Sequence, residues 1–114
     1  MSDCLFCRIV AGEIPADVVM RTDRSLAFRD VNPQGPTHVL VVPLEHVTNA
    51  ADLSQGHGDL LSDVFLTANA VAEQEGIAES GYRLVFNVGE DALNSVPHLH
   101  LHVIGGRKLG WPPG

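Results

Sequence analysis

Apolar residues along this chain change period twice. From Val18 to Val42 they fall in three short extended runs, Val18 to Arg21, Leu26 to Asp30 and Thr37 to Val42, the last entered through Asn32-Pro33-Gln34-Gly35-Pro36. Runs of this length bounded by turn-forming residues predict strands, and these are close enough in sequence to pair as an antiparallel meander. Between Asp59 and Glu75 the spacing lengthens: Leu61, Val64, Phe65, Ala68, Val71 and Ala72 recur at three and four. That predicts a helix with one buried face, which Gly76 is placed to end. Tyr82 to Val88 and Leu99 to Ile104 return to extended patterning, while Phe6 to Val10 predicts a short helix or turn stopped by Gly12 and Pro15. Five strands grouped before and after one long helix, without strict alternation, predict an α+β fold.

The polar positions of the last strand are all imidazoles. His98, His100 and His102 alternate with Leu99, Leu101 and Val103 in the run PHLHLHVIGG. Successive strand side chains point to opposite faces, so the three histidines share one face and the aliphatics take the other. At about 3.3 Å per residue the outer pair is rooted roughly 13 Å apart, too far for all three to share one metal with ease. An unperturbed pKa of about 6.5 lets imidazole serve as nucleophile, acid or base near neutrality. Three in file predict a division of labour.

With 114 residues the chain is long enough for one domain, residues 1–114, that folds without needing a disulfide or a metal. The longest apolar stretch, near Val39 to Val42, is far too short to span a membrane, and the first residues lack a secretory pattern, so the cytoplasm is the expected compartment. A net charge of −7 with only seven Lys and Arg excludes a nucleic-acid surface. A small anion would have to be held by imidazoles, amides and backbone N–H groups.

Cys4 and Cys7 form a CxxC at the start of the chain, with no room upstream for the strand that precedes a redox CxxC. The pair is either half of a tetrahedral zinc site, which histidines could complete, or two structural thiols. His38 opens the central strand and His46 lies just beyond its end. If that strand neighbours the triad strand, His38 joins the triad in one site. Asn87 and Ser95 flank a loop, VGEDALNSVP, that resembles a phosphate-holding loop only weakly, and both are able to hydrogen-bond an anion. Asp30 fits either a sugar diol or a turn cap. His57, among Ser54, Gln55, Gly56 and Gly58, is expected to be exposed to solvent.

The run HLHLHVI resembles the signature of the histidine triad (HIT) superfamily. EIPADVV, LAFRDVNPQGPTHVLVVPLEHV, GYRLVFNVGE and the closing GGRKLGWPPG extend the likeness over the whole chain, to the branch of histidine triad nucleotide-binding proteins. The resemblance implies a five-stranded antiparallel sheet with one long and one short N-terminal helix, and a homodimer in which two sheets join. It implies hydrolysis of purine nucleoside phosphoramidates to a nucleoside monophosphate and an amine, with no organic cofactor. His100 would be the nucleophile; His102 and His38 would contact phosphate oxygens or orient His100, and Ser95 would sit near the leaving nitrogen. Asn87 would hold the phosphate and Asp30 the ribose, with Phe6, Ile14, Phe28 and Val31 walling the base. Trp111 would lie near the partner subunit's site.

Members of the superfamily that carry structural zinc complete a CxxC with histidines like His46 and His98, so the resemblance implies Cys4, Cys7, His46 and His98 as ligands. The chain departs from its relatives at Ala92, Leu93 and Asn94, where many have a glycine pair and a glutamine, and at Pro97. A side chain at Leu93 narrows the loop or changes its conformation, which bears on leaving-group preference. Competing readings are a catalytic zinc on His98 and His100 with His38 or His46, a dinucleoside polyphosphate hydrolase, and a nucleotide-binding regulatory protein whose hydrolysis is incidental.

Overall fold

The computed structural model describes residues 3–114. One antiparallel sheet is built from β1 (Val18–Arg21), β2 (Ser25–Arg29), β3 (Thr37–Pro43), β4 (Tyr82–Val85) and β5 (Leu101–Gly105), in the order β1-β2-β3-β5-β4. Helix α1 (Leu5–Val10) precedes the sheet, and α2 (Gly58–Gln74) connects β3 to β4. The first three strands form the expected meander. The last strand then inserts between β3 and β4, where β3 is buried at every position and Leu101 and Val103 of β5 are fully buried. The half-buried β1 and β4 are left as edges.

Strand alternation divides the interior in two. Ala27, Val39, Val41, Leu101 and Val103 pack with α2, whereas Leu26, Phe28, Leu40 and Val42 pack with Phe6 of α1. On α2 the buried face is centred on Leu60, Val64, Ala68 and Val71, while Leu61 and Phe65 are only half-buried. Small Ala68 and Ala72 allow the closest approach to the sheet and so set the centre of the face, leaving Phe65 to meet Phe86 edge to face at 5.8 Å. Gly76, at φ +75°, ends the helix in the left-handed conformation that glycine accepts without strain. Two polar clamps tie α2 to the sheet: Asp63 accepts from Thr22 and Ser25 at 2.7 and 2.6 Å, and Glu75 takes both guanidinium nitrogens of Arg29 at 2.6 and 3.0 Å.

Three expectations need correction. Regular pairing of the triad strand begins at Leu101, not Leu99, because the Leu99 N–H bonds to the Val47 carbonyl at 2.6 Å instead of to β3. The side-chain alternation survives the loss of pairing: Leu99 joins the α2 side, and His98 and His100 both face Phe6. β4 stops at Val85, opposite His102, and Asn87 follows it in a loop. His57 is half-buried, and its Nδ1 accepts the Ser54 backbone N–H at 3.0 Å in the turn before α2. No described helix is long and apolar enough to cross a membrane.

Candidate active site and metal-binding cluster

A cleft of about 550 Å³ opens on the α1 side of the sheet. One rung of the ladder builds its floor: Phe28 pairs with Leu40, and Leu40 with His102. Phe6, Phe28 and Leu40 supply apolar wall, and Asp30, Asn87, Ser95, His100 and His102 supply the polar groups. His38 belongs to the same face two residues before Leu40 and reaches the cleft through His102.

Hydrogen bonds fix the tautomer of each triad ring. His100 is 9% exposed, its ring edge-on to Phe6 with centroids 5.1 Å apart, and its Nδ1 lies 2.7 Å from the His98 carbonyl oxygen. A carbonyl accepts only, so Nδ1 carries the proton and Nε2 keeps its lone pair. His38 accepts the Gln34 backbone N–H at Nδ1, 3.0 Å away, so its own proton sits on Nε2, 2.9 Å from His102 Nδ1 and 3.4 Å from an Asp30 carboxylate oxygen. His102 therefore accepts at Nδ1 and donates from Nε2. Asn87 Nδ2 lies 3.5 Å from that nitrogen, donor beside donor, so both N–H groups are left for a third, accepting group.

Burial holds both relay rings neutral. His102 is pushed down to about 4 by burial, with repulsion from His100 and His38 adding and Asp30 opposing. His38 is lowered by burial against the opposing charge of Asp30. Asp30, His38 and His102 are also close enough to be considered as metal ligands. The 2.9 Å between the two ring nitrogens is a hydrogen-bond length, shorter than the roughly 3.3 Å separating two nitrogens on one tetrahedral zinc with 2.0–2.1 Å bonds. This trio is a hydrogen-bonded relay.

A second cluster lies around His98 on the same face of the sheet, at the other side of Phe6 from the relay. His98 is fully buried and lies with Nε2 2.9 Å from the Pro43 carbonyl, which fixes its proton there and leaves Nδ1 as an acceptor. Around that lone pair stand Cys4 Sγ and Cys7 Sγ, each at 3.4 Å, and His46 Nδ1 at 3.2 Å. All four donor atoms lie within 4.8 Å of one another. Edges of 3.2 to 3.4 Å lie at or just below the lower end of the roughly 3.3–3.6 Å expected around one tetrahedral zinc, and two thiols with two imidazoles are a donor set that zinc takes. Cys4 also caps α1, its Sγ accepting the Cys7 N–H at 3.4 Å, which fixes the two sulfurs relative to one another. This arrangement could hold a metal ion. His98 stands in this cluster while His100 lines the cleft, so the two rings do not converge on one point as a single zinc bound by both would need.

A model of the HIT domain family matches residues 11–109. The chain belongs to this family. It is 45% identical to the adenylylsulfatase HINT1 of Arabidopsis thaliana over 99% of this chain and 78% of that protein. It is 43% identical to the purine nucleoside phosphoramidase of Escherichia coli, over 95% of this chain and 91% of that one, and 45% identical to the 14 kDa zinc-binding protein of Brassica juncea, over 98% and 100%. A HIT family hydrolase from Legionella pneumophila superposes with a TM-score of 0.96 at 47% identity, covering 98% of this chain and 100% of that one.

The HIT fold gathers eight of the expected residues, Phe6, Phe28, Asp30, Val31, Asn87, Ser95, His100 and His102, around one cleft. Val31 stands at its rim, fully exposed, and Asp30 also caps its turn, accepting the Asn32 N–H at 2.8 Å. Ile14 is half-buried, and the adjoining Pro15 and Ala16 line the cleft in its place. Trp111 is 82% exposed, with the Arg83 guanidinium carbon 6.0 Å from its ring, and is not among the cleft's lining residues. Leu40, Ile9 and Val96 were missed as lining residues. Leu40 was open to discovery, since it shares a strand face with His38 by the two-residue period.

Proposed function

We propose that this protein is a nucleotide hydrolase that cleaves purine nucleoside phosphoramidates through a nucleotidyl intermediate on His100. The observation that carries this reading is the pairing of a histidine whose Nδ1 proton is tied to a carbonyl, leaving Nε2 nucleophilic, with a neutral N–H donor beside it on His102. His100 Nε2 attacks phosphorus as the P–N bond breaks. The amine nitrogen takes a proton delivered through the Ser95 hydroxyl, which recovers one from solvent. Water then attacks phosphorus, forming the new P–O bond as the P–Nε2 bond breaks and giving up its proton to solvent, which returns the lone pair to His100 and releases the nucleoside monophosphate. Splitting one displacement into two lowers each barrier, and proton delivery to the leaving group typically contributes about 10²–10⁴-fold.

His102 Nε2–H and the Asn87 amide stabilise the charge growing on the phosphoryl oxygens, and Gln34 and His38 hold His102 in the donating tautomer. Asp30 binds the ribose hydroxyls, and Phe6, Phe28 and Val31 enclose the base. Zinc, held by Cys4, Cys7, His46 and His98, would supply a closed tetrahedral cross-link between α1, the turn after β3 and the start of the triad. With four protein ligands it leaves no open position for substrate. We further infer one domain that pairs as a homodimer through the half-exposed edge strand β4, in the reducing cytoplasm that suits thiolate ligands.

The test is to mix protein with adenosine 5′-phosphoramidate, quench in base and look for adenylylated peptide by mass spectrometry, alongside His100→Ala. Adduct on His100 and loss of turnover in the variant are expected. Turnover that persists in His100→Ala overturns the mechanism.

A further inference from the structure

Between β4 and β5 the chain places a leucine where glycine is the usual occupant. Leu93 has φ 61° and ψ 33°, and among the described residues it alone, glycines apart, has a positive φ. This conformation is disfavoured for any residue with a Cβ. Burial does not compensate, because Leu93 is 86% exposed. The backbone has a local role, since Leu93 closes the turn Glu90–Ala92 with its N–H on the Glu90 carbonyl at 2.9 Å, but glycine or asparagine would cap it at less cost, and the exposed apolar side chain adds nothing to that cap; such outliers concentrate at binding sites.

Its position supplies a role. Leu93 lines the cleft beside Asn87, Ser95, His100 and His102. It also lines an outer groove with Thr48, Asn49 and Pro97, and a third groove with Arg83 and Asp91 under the C-terminal segment. All three openings share this one side chain. His100 is 9% exposed on the cleft floor, whereas Ser95 is exposed at its rim. In-line displacement sends the leaving group away from the nucleophile, so attack from His100 drives the amine toward the rim, where Ser95 and Leu93 stand.

We propose that Leu93 is a specificity-determining residue that selects alkyl or aryl amines over small polar leaving groups. The inference rests on the hydrolase reading above. It specifies the part of the substrate that the base and ribose contacts leave open.

The test compares kcat/KM for N-benzyl adenosine 5′-phosphoramidate with that for the unsubstituted phosphoramidate, in the native protein, Leu93→Gly and Leu93→Asn. Asparagine tolerates the left-handed conformation and keeps comparable bulk, so it removes apolarity without disturbing the loop. The native protein is expected to favour the benzyl substrate about tenfold, the scale of a modest apolar contact in a pocket, with the ratio falling toward one in both variants. An unchanged ratio in both, or a fall in Leu93→Gly alone, overturns the inference while leaving the hydrolase reading intact. No turnover of either substrate by the native protein overturns both.

Discussion

Acid should destabilise this protein in a way that maps onto one side chain. His102 titrates near 6.5 when unfolded, and is pushed down to about 4 in the fold, chiefly by burial and then by His100 and His38. Its folded pKa lies below the unfolded one, so the unfolded chain binds more protons between these values. The stability at stake is therefore fully present above pH 6.5 and is lost as the pH falls toward 4. At pH 5 the linkage amounts to about 2 kcal/mol, against almost nothing at pH 7. Other groups titrate in this window, His38 and His98 among them, both also lowered by burial. A difference of differences isolates the one that matters: urea unfolding of the native protein and of His102→Gln, each at pH 7 and pH 5. Glutamine still accepts from His38, whose own lowering has burial as its main cause. The native protein is expected to lose roughly 2 kcal/mol more than the variant on acidification. Parallel losses in the two proteins would refute the argument that His102 is held neutral.

Three further outcomes follow from the packing. Metal analysis of the purified protein should find one zinc per chain, lost in Cys7→Ser together with several degrees of thermal stability; zinc-free protein indifferent to a chelator would remove the assignment. Glu75→Gln should cost about 1 kcal/mol in chemical denaturation, since it weakens a two-pronged contact whose arginine is 41% exposed and therefore screened. Gly106→Ala should cost on the order of 1–3 kcal/mol, because glycine there adopts φ +89° and a Cβ would meet Pro36 Cβ at 2.9 Å; unchanged unfolding would show that the β5 exit tolerates displacement.

Much of the site was legible from residue spacing. The two-residue period of His98, His100 and His102 correctly placed the imidazoles on one face and Leu99, Leu101 and Val103 on the other. It did not reveal that regular pairing starts only at Leu101, because a single long-range bond from Leu99 to Val47 decides that. The spacing of Cys4 and Cys7 left metal and structural thiols open. Convergence of His98 on both sulfurs and of His46 on Cys7 supplies the rest of a possible ligand set, and no local pattern encodes that meeting. For His57 the surrounding Ser, Gln and Gly residues indicated a loop, but not that the ring would fold back onto the Ser54 N–H.

By itself the sequence determined the elements and their faces, since periods of two and of three to four are local properties of the backbone. It also determined which residue types were present for chemistry, and through its motifs it identified the family. The tertiary structure alone decided which nitrogen of each histidine carries the proton. His100 is set by the carbonyl of His98, His98 by the carbonyl of Pro43, and His38 by the N–H of Gln34, each through the path of the backbone around it. Identical side chains in one file thereby offer different atoms to their surroundings, Nε2 of His100 and Nδ1 of His98, because an imidazole's chemistry depends on which of its two nitrogens the fold leaves available.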